Sequence, residues 1–182
     1  MRIALVAALV FLCACGYRMG DQAIVSEYNT VSVPYVECDD DGRLTEALVH
    51  AVSASGALRY RECGGQLCLK AKITSTGREN VGYRYDTNQQ GKRVNRLLPD
   101  EQRLIYQVEV SLVDRCRGCT VLGPFCVRES IAFAFDPLST DNQLAVDSLG
   151  QYTNIDDAEW AAKWPLYDAL ARKIVDYLTA AW

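Results

Sequence analysis

The chain holds one histidine, His50, among its 182 residues. Neither a histidine-based catalytic triad nor a polyhistidine metal site can be assembled from it. No stretch approaches the roughly 20 apolar residues that cross a bilayer as a helix. Positive charge is in deficit, with 19 Lys and Arg against 23 Asp and Glu. That balance excludes a global basic field for nucleic acid and leaves only local anion patches. The acidic turn Asp39-Asp40-Asp41-Gly42 lacks what a calcium loop needs. With Gly42 at the loop's glycine position, Leu48 stands where a bidentate Glu is required.

What the chain does have begins at its N-terminus. Arg2 precedes an uncharged apolar run from Ile3 to Leu12, too short to span a membrane and suited to the centre of a secretory signal. Leu12-Cys13-Ala14-Cys15-Gly16 follows and resembles a bacterial lipobox. The resemblance implies cleavage between Ala14 and Cys15, with Cys15 the lipid-attachment residue, carrying acyl chains such as palmitate. Cys13 competes poorly, because bulky Leu12 would occupy the position before the cut. Each buried methylene contributes about 0.8 kcal/mol, so two or three chains would hold the protein on a membrane indefinitely. The expected organisation is a signal peptide over residues 1–14, a tether over 15–29 and a single α+β domain over 30–182. A domain of that size can bury about 70% of its extended surface.

Eight cysteines are present. With Cys13 lost and Cys15 acylated, six remain: Cys38, Cys63, Cys68, Cys116, Cys119 and Cys126. Beyond a secretion signal they are disulfide candidates, and sequence does not choose among their pairings. Cys63, Cys68, Cys116 and Cys119 could supply four thiolates to zinc, but secretion argues against a metal site. Cys116-Arg117-Gly118-Cys119 has the spacing of a redox pair. A thioredoxin-like motif, however, opens a helix after a strand, whereas this one falls at a hairpin turn.

Thr30–Val36 alternates, with Val31, Val33 and Tyr35 on one face, and Pro34 marks it as an edge strand. Arg43–Ser53 reads as a helix capped by Asp41, with Leu44, Ala47, Leu48, Ala51 and Val52 as its stripe and Gly56 as its stop. His50 lies off that stripe. Leu67–Ile73 alternates as a half-solvated strand. Arg103–Asp114 and Thr120–Phe135 follow as two further strands, with Arg117-Gly118 turning between them. Placing Cys116 opposite Cys119 pairs Leu112 with Gly123, Val110 with Phe125, Val108 with Val127 and Leu104 with Ile131. Gln107 then meets Arg128 and Glu109 meets Cys126, so one face is apolar and the other polar, which a one-residue slip would destroy. Tyr106 opposite Glu129 is the single mismatch. Asp136–Tyr152 is loop-like. Asp156–Leu178 reads as a helix with the stripe Leu166, Leu170, Ile174, Tyr177 and Leu178, and with a kink or a fresh first turn at Pro165.

These elements imply an α+β fold of order β-α-β-β-β-α, with two helices on one face of a four-stranded, mostly antiparallel sheet. No active site assembles and no cofactor is implied, so the expectation is a non-enzymatic protein. Between the strands, Gly77–Arg103 carries Arg78, Arg84, Lys92, Arg93, Arg96 and Arg103 against four acidic residues. It is either a long hairpin loop or an extension of the strands. Lys92, Arg93 and Arg96 are a candidate phosphate patch.

Several motifs together resemble the lipopolysaccharide-assembly lipoproteins, the LptE family. They are Cys15-Gly16-Tyr17, the run from Thr30 to Glu37, the run from Asp41 to Leu48, the run from Arg78 to Asp86, and the closing helix through Ala171–Tyr177. The resemblance implies two helices on a four-stranded sheet, an outer-membrane location on the periplasmic side and no enzymatic activity. It implies a role plugging and stabilising the barrel of LptD and contacting lipopolysaccharide in transit. Only Cys15 transfers as a matched residue. Lys92, Arg93 and Arg96 as lipopolysaccharide phosphate contacts remain a reading from charge. The six further cysteines depart from the family pattern and open an alternative, a disulfide-rich structural envelope lipoprotein without a lipopolysaccharide role.

Overall fold

The computed structural model describes residues 27–88, 90–137 and 154–180. The expected signal peptide, Cys15 and most of the tether lie outside them, as does most of the loop after Asp136. The described elements are β1 (Thr30–Ser32), α1 (Arg43–Ser55), β2 (Arg59–Tyr60), β3 (Leu67–Thr87), β4 (Arg93–Asp114), β5 (Thr120–Ala134) and α2 (Ile155–Ala180). The strands form one sheet in the order β2-β1-β3-β4-β5. The class is α+β as expected, but the sheet has five strands where four were read. The added strand, β2, is two residues long and pairs in parallel with β1 through Thr30 and Arg59. Two residues carry no periodicity, so nothing in the sequence marks them.

β1 is not the edge strand that Pro34 implied, since it lies between β2 and β3. It ends at Ser32, so the missing proline N–H falls outside the ladder. The break also resets the alternation. Val31 and Val33 are buried as read, but Tyr35 is 61% exposed and Val36 takes the inward place. The chain rejoins β3 at Glu37, whose N–H donates to the Ala71 carbonyl at 3.0 Å.

The start of α1 also departs from expectation. Asp41 accepts from the Arg43 N–H at 3.3 Å. Buried Asp39 makes the stronger cap, accepting from the Thr45 N–H at 2.9 Å and from the Thr45 hydroxyl at 2.8 Å. Gly56, in the left-handed conformation, ends the helix as read. Leu44, Leu48 and Val52 are its buried residues. α2 runs on through Pro165. The Ala161 carbonyl there loses its intrahelical donor. Leu166, Leu170, Ile174 and Leu178 are buried, whereas Tyr177 is exposed and rests its ring 5.6 Å from Phe125.

The helix-covered sheet face holds Leu67, Leu69, Ala71 and Ile73 of β3 with Val108, Val110 and Leu112 of β4 and Val127 of β5. Fully burying each large aliphatic side chain contributes roughly 1.5–3 kcal/mol. The β4–β5 register matches the expected pairing from Glu101↔Ala134 to Val110↔Phe125. It then shifts, so that Leu112 meets Leu122, not Gly123. Gly123 has φ 92°, and a Cβ there would sit 2.6 Å from the Val110 carbonyl oxygen. The bulge therefore needs glycine. The turn is also wider than two residues, closed by the Asp114 N–H donating to the Cys119 carbonyl at 2.9 Å. Tyr106 and Glu129 do face each other. Tyr106 packs edge-on to Tyr167 at 5.6 Å, and Lys173 reaches Glu129 at 2.9 Å, so α2 satisfies both halves of the mismatch.

Candidate functional site: the outer face of the β3–β4 ribbon

Gly77–Arg103 resolves as an extension of the strands. β3 and β4 stay paired from Arg78↔Leu104 out to Thr87↔Arg93, past the end of β5 opposite Glu101. Beyond that point they form a two-stranded ribbon joined by a tight turn. Asn88 builds the turn, its side-chain oxygen accepting from Lys92 N–H at 2.9 Å and Gln90 N–H at 3.0 Å. Register shifts flank Gly82 on both sides. A Cβ on Gly82 would sit 2.6 Å from the Glu101 Cβ, so the strands approach closely there.

Strand alternation splits the ribbon's charges between two faces. On the helix side, cations are already neutralised. Arg78 pairs with Glu159 of α2 at 2.8 Å, Arg84 pairs with Asp136, and Arg96 pairs with buried Asp86. The outer face is different. Tyr83, Tyr85 and Leu97 are 57%, 43% and 58% exposed, and Pro99 lies opposite Tyr83. The Arg93 guanidinium stacks 4.2 Å from the Tyr85 ring centre.

The three cations expected to form one phosphate patch are therefore not gathered. Arg96 sits on the face of Asp86 and is paired, Arg93 sits on the face of Tyr85, and Lys92 lies in the exposed turn. The structure shows instead a feature that charge counting missed, an amphipathic outer face of two tyrosines, a leucine and a stacked arginine. The alternation of Val81, Tyr83 and Tyr85 was the signal for it, concealed by the arginines interleaved with them.

At the opposite end of the sheet, the β4–β5 turn is organised by buried Asp114. Its Oδ1 accepts from the Cys116 and Arg117 N–H groups at 2.7 and 3.0 Å, and its Oδ2 accepts from the Tyr28 hydroxyl at 3.0 Å. The Arg117 backbone N–H, with the Tyr28 hydroxyl and the Cys116 N–H, holds the Asp114 carboxyl below its ordinary range despite its desolvation. Burial, with Asp114 beside it, pushes the Tyr28 hydroxyl up. Arg117 also reaches Glu27 at 3.0 Å, which fastens the first described residue to this turn.

The expected disulfides are not formed, and all six cysteines are free thiols. The fold sets all but one pair of them on different elements. Cys38 precedes α1, Cys63 lies in the β2–β3 loop, and Cys68 and Cys126 sit on β3 and β5 with β4 between them. Cys116 and Cys119 share the β4–β5 turn. Among the described residues no group of three or more His, Cys, Asp or Glu side chains converges to hold a metal ion.

No family model matches the chain, and no curated protein is similar to it. Solved structures are. A candidate lipoprotein from Caulobacter crescentus CB15 superposes with a TM-score of 0.51 at 17% identity, covering 82% of this chain and 88% of that one. A minor lipoprotein from Acinetobacter baumannii gives 0.49 at 14% identity, covering 84% and 92%. Rare lipoprotein B from Shewanella oneidensis gives 0.43 at 15% identity over 84% and 92%. At these identities the likeness is one of fold: two helices on one sheet, in the arrangement of the Caulobacter crescentus protein.

Proposed function

We propose that this protein is a lipid-anchored lipoprotein of the bacterial envelope and a non-enzymatic companion of an outer-membrane β-barrel that exports lipopolysaccharide. Cys15 carries the lipid and holds the domain on the periplasmic side of the outer membrane. The helix-covered sheet is the scaffold, and the ribbon is the part that meets the barrel lumen and the glycolipid. The observation that carries this reading is the ribbon's outer face. Exposed tyrosines and a leucine beside Arg93 suit a surface that meets both acyl and phosphorylated groups. The neighbouring lipoprotein folds and the lipobox-like run support the envelope location.

Affinity purification of the mature protein tests the reading. A large β-barrel should co-purify, together with lipopolysaccharide, and should be lost when Tyr83, Tyr85 and Leu97 are replaced by serine. Recovery of no barrel would overturn the proposal. A second reading is favoured by the exposure of Cys38, Cys63, Cys116, Cys119 and Cys126. In it the protein is a structural envelope lipoprotein that cross-links to neighbours. Diagonal non-reducing gels would then show intermolecular bridges where the first reading expects none.

A further inference from the structure

The outer seam between α1 and α2 is an open cleft that the ribbon reading leaves unused. One part, about 400 Å³, is floored by Ala47, Ala51 and Ala54 and walled by His50, Asp168, Arg172 and Asp176. A second part, about 260 Å³, shares Ala47, His50 and Asp168 and adds Arg43, Glu46, Trp164 and Tyr167. The two share those three residues and together run much of the length of α1. At 1.5 Å per residue, that helix is about 20 Å long.

The lining is unusual in kind. Its floor is three alanines and buried Val175, so it offers little bulky apolar surface to a partner. Its walls carry three carboxylates (Glu46, Asp168 and Asp176), two guanidinia (Arg43 and Arg172) and the chain's single imidazole. Among the described residues the Glu46, His50, Asp168, Arg172 and Asp176 side chains make no ion pair or side-chain hydrogen bond, whereas Arg43 pairs with Asp41 at 3.5 Å. At one end stand Trp160 and Trp164, one helical turn apart, ring centres 6.2 Å apart, 49% and 45% exposed. The Arg43 guanidinium lies 4.2 and 4.0 Å from their ring centres, and its Nη1 is buried without a hydrogen-bond partner.

We propose that this cleft binds a glycan, a short run of hexopyranose rings. A pyranose has one apolar C–H face and a rim of hydroxyls that both donate and accept. An exposed indole suits the face. Carboxylates and an arginine at close quarters suit the rim, taking and giving hydrogen bonds without fixing a net charge. A partner helix would need more large apolar residues along the floor, and an anionic ligand would meet three carboxylates against two guanidinia. Envelope glycans of this chemistry come from two sources, the peptidoglycan backbone and the sugar core of lipopolysaccharide. The inference does not depend on the barrel partner.

The test titrates the purified mature protein with chitotetraose in one arm and with deacylated lipopolysaccharide core oligosaccharide in the other. Binding is followed by tryptophan fluorescence and backbone amide shifts. Saturable binding in the millimolar range is expected, with shifts confined to α1 and α2. Chitotetraose alone assigns a peptidoglycan-type ligand, and core oligosaccharide alone assigns lipopolysaccharide. Trp164→Ala and Asp168→Asn should each weaken binding about tenfold, Trp164→Phe should retain part of it, and Lys70→Ala, exposed on the uncovered sheet face, should change nothing. Circular dichroism confirms that each variant is folded. Absence of saturable binding in both arms, or binding indifferent to Trp164→Ala, overturns the proposal. So does a pulled-down protein that Ala51→Trp displaces while neither sugar binds.

Discussion

Over Leu67–Ile73 and Leu104–Leu112, β3 and β4 alternate between side chains buried under the helices and side chains in water. Past Gly82 the same two strands leave the cover of β5. Their helix-side charges are paired off and their outer face turns aromatic. The covered half is held by packing, which is cooperative and costly to disturb. The ribbon is held by its ladder and a few ion pairs, which contribute little each when exposed. On the proposed function, stability and recognition fall on different lengths of the same strands, so substitutions should separate them.

The largest effect belongs to the covered half. Leu170→Ala, at a fully buried position on α2, should cost about 2–5 kcal/mol in denaturant unfolding. A ribbon truncation at that cost would erase the distinction between the halves. Gly123→Ala comes next, at about 1–3 kcal/mol, because the new Cβ meets the Val110 carbonyl oxygen while φ stays positive. Equilibrium unfolding measures it, and Gly77→Ala, which meets nothing within 4 Å, is the control. Smaller still is Tyr85→Ala. Its unfolding free energy should stay within about 0.5 kcal/mol of the parent, while barrel recovery falls.

Acid sharpens the comparison further. Asp114 and Glu129 both have carboxyl groups held below their ordinary range. Asp114 is held chiefly by backbone donors, and Glu129 by the hydrogen bond from Lys173. A depressed folded pKa gives stability that is complete above the unfolded values of 3.8 and 4.5. That stability is lost as pH falls through the lower folded values. Amide exchange should therefore quicken around the β4–β5 turn and α2 below pH 4.5, and Asp114→Asn should remove most of that pH dependence at the turn.

Much of this division was legible in the residues. The apolar stripe of α1 and the clean alternation of Leu67–Ile73 dictated their faces, and the two-sided pattern of the β4–β5 hairpin set its register. Three things were not legible. β2 is too short to have a period. The register shift at Gly123 depends on a left-handed backbone whose need only the close Val110 carbonyl reveals. The division of Arg93 from Arg96 depends on which strand face each occupies after the shifts around Gly82, which charge spacing does not encode. Asp39 outdoes Asp41 as a cap because the chain folds back on itself before α1, a tertiary fact that local preference cannot express.

The central claim is that a stable helix-covered scaffold presents the ribbon to a barrel. The most direct test replaces residues 81–101 by an Asn-Gly turn, keeps Cys15, and asks what co-purifies from membranes. The shortened protein should remain folded and membrane-bound yet lose the β-barrel that the parent recovers. Recovery of the barrel in equal yield by both proteins would contradict the account.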